Sequence, residues 1–280
     1  MDWSKIKTVL IVTFVIINLI LGYSLYTSTT AYTRELPVEQ EVFDEVAALL
    51  AERNISVDVT MESYKEYMPS VTVSYETYQL EEDAKKFLDE GYEVIDGFAI
   101  LGEEAVKVEN DTSLKYYYTV PLDEENNATE ASAKEVAVAF LSKYGYDIPE
   151  APWRVDQQGE FLVVTYKQFY DEFFLDETYM TLEIYDNEVV RFSRKWFQSV
   201  LERDINKEII PPSEALFKVI ERAYNETITY GETMVIEKME LGYRLDDNIL
   251  FSYIKSGDVF PYWRITFSDG RIIYIEAVKR

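Results

Sequence analysis

TYMTLEIYDNEVVRF occupies residues 178–192, and PYWRITFSDGRIIYI occupies residues 261–275. In both, apolar and polar side chains alternate, the period of a half-buried strand. In both, a turn dipeptide breaks the alternation: Asp186-Asn187 in the first and Asp269-Gly270 in the second. These residue types accept the positive φ angles of a tight hairpin. Each hairpin lies downstream of a helical pattern. Ser132 with Glu135 forms a capping box before KEVAVAFLSKYG, where Val136, Phe140 and Tyr144 share one face and Gly145 marks the end. Pro211-Pro212-Ser213 opens EALFKVIERAYNE in the same way. Segments 132–197 and 213–278 thus share a layout of one helix, antiparallel strands and a terminal hairpin, which indicates an internal duplication. Helices packed on antiparallel sheet place the chain in the α+β class.

Upstream, Val42, Phe43, Val46, Leu49 and Leu50 recur at helical spacing and predict an amphipathic helix over 38–54. Alternation of Val71, Val73 and Tyr75 predicts a strand, LEEDAKKFLDEG a short helix ending at Gly91, and EAVKVE and LKYYYTV further strands. The polar stretch LDEENNATEAS is a loop or linker. The expected organisation is a first α+β subdomain over 38–122 and a second over 131–280, the latter holding both helix-plus-strands units.

The N-terminus has a different character. Positions 8–33 carry no charged residue, and a helix over 8–26 would be roughly 28 Å long at about 1.5 Å per residue, close to the ~30 Å hydrocarbon core of a bilayer. The apolar run exceeds that of a signal peptide and no A-x-A site follows it, so an uncleaved anchor is favoured over a cleaved leader. Lys5 and Lys7 precede it and the next charge is Arg34, which places residues 1–7 in the cytoplasm and the rest outside the cell. Residues 27–37 are a tether to the ectodomain. Within the span, Asn18 and Gly22 share a helical face. They are either a helix–helix contact surface or a tolerated Asn beside a filler Gly.

The 280 residues hold 52 Asp and Glu against 27 Lys and Arg, a net charge of −25, which disfavours nucleic acid and anionic lipid headgroups as partners. Without Cys or His there is no thiolate chemistry, catalytic triad or His-liganded zinc. Glycine-rich phosphate loops and G-x-S-x-G or H-E-x-x-H motifs do not occur, and no cofactor or metal is expected. The acidic pairs Asp171-Glu172, Asp176-Glu177 and Asp246-Asp247 are the remaining candidates for chemistry, either glycosidase-type acid–base work or solvated loop charge. The aromatic runs YYY at 116–118 and FPYW at 260–263 read as core-facing and cross-strand packing rather than a ligand surface.

The opening MDWSKIKTVLIVTFVIINLILGYSLY and the closing FPYWRITFSDGRIIYIEA resemble the YycI (WalI) family. The M-D-W-S-K start before a single anchor is the most specific part; length and absence of Cys also fit. The resemblance implies an accessory regulator of the WalK/WalR two-component system of low-GC Gram-positive bacteria. It would act beside a YycH-like sister protein of the same single-pass design, bind the sensor histidine kinase WalK and influence cell wall metabolism. It implies a fold like the C-terminal domains of YycH, no catalytic residues, and a transmembrane helix involved in kinase contact. Asn18 and Gly22 are the positions chosen for that contact. A second copy of the chain is a further possible partner. The alternative is an extracytoplasmic carboxylate-based wall hydrolase or peptide-binding domain.

Overall fold

A computed structural model describes residues 3–32, 34–120, 127–148, 153–225, 234–245 and 255–279. In chain order the first elements are α1 (Trp3–Tyr32), β1 (Glu35–Pro37), α2 (Gln40–Ala51), β2 (Ile55–Val57), β3 (Ser63–Lys65), β4 (Tyr67–Tyr75) and α3 (Leu80–Phe87). Next come β5 (Glu93–Ile95), β6 (Phe98–Leu101), β7 (Glu104–Glu109), β8 (Ser113–Tyr118), α4 (Glu130–Lys143), β9 (Trp153–Gln158) and β10 (Phe161–Tyr170). The last are β11 (Phe173–Tyr185), β12 (Glu188–Lys195), β13 (Phe197–Glu208), α5 (Pro212–Asn225), β14 (Met234–Leu245), β15 (Ser256–Phe267) and β16 (Ile272–Glu276). The class is α+β, with helices on largely antiparallel sheet. Two compact units divide the chain: a central one of Val71–Arg203 and Leu241–Tyr262, and a terminal one of Met1–Ser70, Asp204–Glu240 and Trp263–Arg280.

The central unit is built on strands in the order β9-β10-β11-β12-β8-β7-β6-β5, each pair antiparallel. Turn chemistry explains the successive hairpins. Asp186 and Asn187 both take positive φ (44° and 63°), as do Asn110 and Asp111 (51° and 57°) and Asp96 and Gly97 (51° and 80°). Two successive positive φ angles give the turn whose twist matches that of paired strands. The first of these hairpins is the one the sequence predicts; Asp96-Gly97 carries the same signal, and it joins β5 to β6. At its start β11 also pairs in parallel with β14, Phe174 opposite Gly242, and β4 pairs antiparallel with β15 from Val71 opposite Val259 to Ser74 opposite Ser256.

α3 and α4 lie over one face of this sheet. Ala84 and Phe87 of α3 and Ala133, Ala137 and Leu141 of α4 are buried against Val106, Leu114, Tyr116, Leu162, Leu182 and Phe192. The small residues let α4 approach closely, while Phe87 fills the gap between the two helices and the strands. The cap of α4 differs from the expected one. Thr129, not Ser132, is the N-cap: its side chain accepts from the Ser132 amide at 3.2 Å, and the Ser132 hydroxyl accepts from the Thr129 amide at 2.9 Å. Ser132 supplies the reciprocal half of the box that Glu or Gln usually supplies, so the helix starts one turn earlier. Gly145 (φ 71°) follows its end as expected.

In the terminal unit, β2 runs parallel to β14, with Ile55 opposite Met234, and β14, β15 and β16 are neighbours. α2 buries Phe43 and Leu50, and α5 buries Ala215, Leu216, Val219 and Ile220. Trp263 is fully buried and its indole N–H donates to the Ile210 carbonyl at 3.1 Å. Residues 27–32 of the expected tether continue α1, and Glu35–Pro37 form β1, which pairs antiparallel with β3. The helix expected over 38–54 is the shorter α2. EVVRFSRKWF is not one strand: β12 stops at Lys195 and β13 starts at Phe197. Of the strand expected over NILFSYIK, residues 248–254 lie outside the described residues, as do residues 122–126 of the expected linker.

Across the repeated layout, α4 precedes β9, β10, β11 and β12, and α5 precedes β14, β15 and β16; each series ends in the expected hairpin. Gly270 (φ 85°) occupies the turn of the second.

Gly242 faces the Phe174 ring so closely that an added Cβ would lie 2.4 Å from a ring carbon. Such overpacking typically costs about 1–3 kcal/mol. Gly242→Ala is expected to lower the unfolding midpoint by a corresponding amount in thermal or denaturant melts. Gly22→Ala, which meets nothing within 4 Å, is expected to leave that transition in place.

Candidate functional site

Arg194 is the feature of the central unit that composition least foreshadows. Phe192 and Arg194 sit two apart on β12, so both point to the helix-covered face; both are buried. An arginine so placed needs a partner for its charge. Its Nη1 donates to the Glu76 carboxylate and to the Tyr78 hydroxyl, both from the segment between β4 and α3. The guanidinium lies 5.0 Å from the Tyr146 ring centroid and 5.3 Å from that of Trp196, within cation–π range. Burial works against its charge, but Tyr78 and Glu76 outweigh this and hold it above the ordinary arginine value.

Around this group lies a cavity of about 260 Å3. Met180 and Arg194, opposite one another on β11 and β12, form its floor. Tyr144, Gly145, Tyr146 and Asp147, which follow α4, line one side; Lys86 of α3, Glu76 and Trp196 complete it. Lys86 is bonded to Asp83 at 2.8 Å. The Tyr146 hydroxyl and the Arg194 Nε are buried with no hydrogen-bond partner, and burial pushes the Tyr146 hydroxyl above the usual phenol value. The sequence carried one sign of this site: an arginine in register with a core phenylalanine on an alternating strand.

The acids singled out in the sequence have separate fates. Asp171 and Glu172 are exposed at the β10–β11 turn. Asp246 and Asp247 lie outside the described residues. Asp176 and Glu177 occupy a bulge, where the register jumps between Tyr166 opposite Met180 and Gln168 opposite Leu175. Thr178 holds the bulge, its hydroxyl donating to the Leu175 carbonyl at 2.7 Å and accepting from the Gln168 amide at 3.0 Å. Bulges re-aim side chains, and this one sets the two acids against neighbouring residues of β14. Asp176 lies 3.9 Å from the Arg244 Nε. Glu177 Oε1 accepts from the Leu245 amide at 2.8 Å, while its Oε2 is buried without a partner. Burial raises the Glu177 carboxyl above its ordinary value; the Leu245 amide works in the opposite direction. Nearby, Lys195 sits 4.6 Å over the Tyr75 ring and is lowered by burial. Among the described residues no group of three or more Asp, Glu, His or Cys is arranged to hold a metal.

Asn18 and Gly22 lie on exposed turns of α1. The Asn18 amide donates to the Phe14 carbonyl of its own helix at 2.8 Å. Apolar side chains at Leu10, Phe14, Leu19, Ile20 and Leu21 are more than 60% exposed. Among the described residues no helix is long and apolar enough to cross a membrane. The segment expected to span over 8–26 is therefore observed as a helix, not as a demonstrated span.

A family model described as YycI protein matches residues 33–278. The chain belongs to the YycI family. This membership points to involvement in the WalK/WalR regulatory system, with a kinase as partner, and to a regulatory accessory role rather than an enzymatic one. No curated protein matches the chain. Among solved structures, an uncharacterized protein from Eubacterium rectale ATCC 33656 is similar at 11% identity and a TM-score of 0.49, covering 87% of this chain and 98% of its own.

The raised Glu177 carboxyl sets a sign for pH dependence. Between the ordinary carboxyl value of 4.5 and its raised value, the folded YycI chain keeps a proton that the unfolded chain releases. That contribution is fully present below 4.5 and is lost as pH rises through the folded value. Glu177→Gln keeps an acceptor for the Leu245 amide and removes the titration. It is expected to stabilise the protein at pH 7, where the buried carboxyl would otherwise have to ionise. It should also flatten the change in melting temperature between pH 7 and pH 5; equal slopes for both proteins would contradict the assignment.

Proposed function

We propose that this protein is a membrane-anchored regulator that, together with a YycH-like partner, binds the sensor histidine kinase WalK and modulates the WalK/WalR system controlling cell wall metabolism. The family match over residues 33–278 is the observation that carries this reading. The anchor is assigned to α1. Apolar side chains exposed along a helix are stabilised by a cover of protein or lipid. The exposed side chains of Leu10, Phe14, Ile17 and Leu21 leave lipid or a partner helix as the cover. With Lys5 and Lys7 on the cytoplasmic side, the ectodomain then lies outside the cell.

Within α1, Asn18 and Gly22 form the contact face. In hydrocarbon the Asn18 amide retains a donor and acceptor capacity beyond its single bond to Phe14, and a helix of the kinase can satisfy it. Gly22 presents no side chain, so a partner backbone can approach. Modulation then requires that this contact differ in strength between two kinase states. A polar contact of this kind is worth about 0.6–2 kcal/mol in membranes.

The combined substitution Asn18→Leu and Gly22→Leu keeps α1 apolar and helical while removing both features. It is expected to reduce co-purification of WalK from solubilised membranes and to change transcription of the kinase's target genes. Undiminished recovery of the kinase together with unaltered transcription would refute the assignment.

A further inference from the structure

A second cavity of the central unit, of about 390 Å3, lies where α4 ends over the sheet, and we infer that it binds a small alkylammonium ion, free or at the tip of a lysine side chain. Two parts of the sheet bring carboxylates to it. Glu103 and Glu104 come from the turn between β6 and β7, Glu188 opens β12, and all three line the cavity. β8 runs between β7 and β12, so the fold gathers acids that are far apart in sequence. The Thr119 amide donates to the Glu103 carbonyl at 2.9 Å and ties the turn to the end of β8. The Tyr116 hydroxyl donates to Glu104 Oε1 at 2.6 Å, which fixes that carboxylate and leaves Oε2 to accept. Glu103 and Glu188 are exposed, so their carboxylates are open to an occupant. Among the described residues neither is bonded to a basic side chain.

The charge of the lining selects a cation. Lys143 is its one basic residue, and its Nζ is directed to Tyr144, donating to the hydroxyl at 2.9 Å and lying 4.7 Å from the ring centroid. Three carboxylates therefore outweigh one ammonium. α4 ends at Lys143, and a helix C-terminus adds partial negative charge. The net charge of −25 raises the concentration of cations around the whole chain. A bare metal ion does not fit, because among the described residues no three acids are arranged to hold one. An ammonium group instead offers three N–H donors to separate acceptors. Leu101, Phe140 and Val189 give the cavity an apolar wall, which suits a short hydrocarbon stem behind the charge. The volume falls within the ~300–1,000 Å3 of ligand pockets. The regulatory reading rests on family membership and this site on the cavity, so the two can fail separately.

The test is titration of the full-length protein in nonionic detergent micelles, followed by calorimetry or ligand-observed NMR. The probes are n-butylammonium, Nα-acetyl-lysinamide and n-butanol. At least one of the two amines is expected to saturate, with butanol at least about tenfold weaker. Tighter binding of butylammonium identifies a free amine as the source, and tighter binding of acetyl-lysinamide a lysine side chain. Glu103→Gln and Glu188→Gln keep side-chain size and remove one charge each. Each is expected to weaken amine binding about two- to fivefold. Glu45→Gln, exposed on α2, makes the same charge change outside the cavity and is expected to leave the affinity as it was. Absence of saturable binding of both amines to the unmodified protein overturns the inference. So does butanol binding as tightly as butylammonium, affinity unchanged in both cavity variants, or an equal loss in Glu45→Gln.

Discussion

The Phe87 ring is the point on which the central unit turns. It lies 5.2 Å from the Tyr116 ring of β8, 6.4 Å from Phe140 of α4, 4.5 Å from Tyr144 and 6.2 Å from Phe192 of β12. Two helices and two strands distant in sequence meet at this side chain. Burying one such ring contributes about 1.5–3 kcal/mol, and tilted or offset ring pairs add about 0.5–1.5 kcal/mol each. β8 and β12 are neighbours in the sheet, with Phe192 opposite Tyr116. The same cluster therefore supports the pairing that joins the hairpins of the first half of the chain to those of the second.

The Arg194 site borders this cluster and shares its walls. Tyr144 and Tyr146 pack against Phe87 on one side and line the cavity on the other. A buried guanidinium–carboxylate pair is weak evidence for stability, since desolvation offsets much of the attraction. Its clearer effect is positional. Glu76, Tyr78 and Arg194 tie the chain entering α3 to β12, and the Glu76 amide donates to the Trp196 carbonyl at 2.9 Å to complete the tie.

Local signals in the chain were readable where one residue type had few alternatives. Asp186-Asn187 adopts the positive φ angles that a two-residue hairpin requires, and Gly145 the one that ends α4. Val71, Val73 and Tyr75 are all buried along β4, as their alternation predicts. Tyr116 and Trp263 prove to be core side chains, as the packing reading of the aromatic runs expected. The α4 cap was misplaced because Thr129 and Ser132 are both capping residues, and only backbone geometry shows which one lies outside the helix. The short strands β1, β2 and β3 carry too few residues for a period to stand out. Asp176-Glu177 was visible as a pair, but nothing in its spelling reports the bulge in which it sits or the burial of Glu177.

The sequence by itself determined the α+β class, the main helices and the hairpin turns at Asp186-Asn187 and Asp269-Gly270. Each of these depends on residues within a few positions of one another, where φ preference and apolar period act directly. The tertiary structure alone decided that β8 pairs with β12, that β14 meets β11 in parallel, and that Glu76, Tyr146 and Arg194 surround one cavity. Those outcomes rest on contacts between residues more than forty positions apart. Side-chain shape and burial choose among such pairings, and no local pattern encodes them.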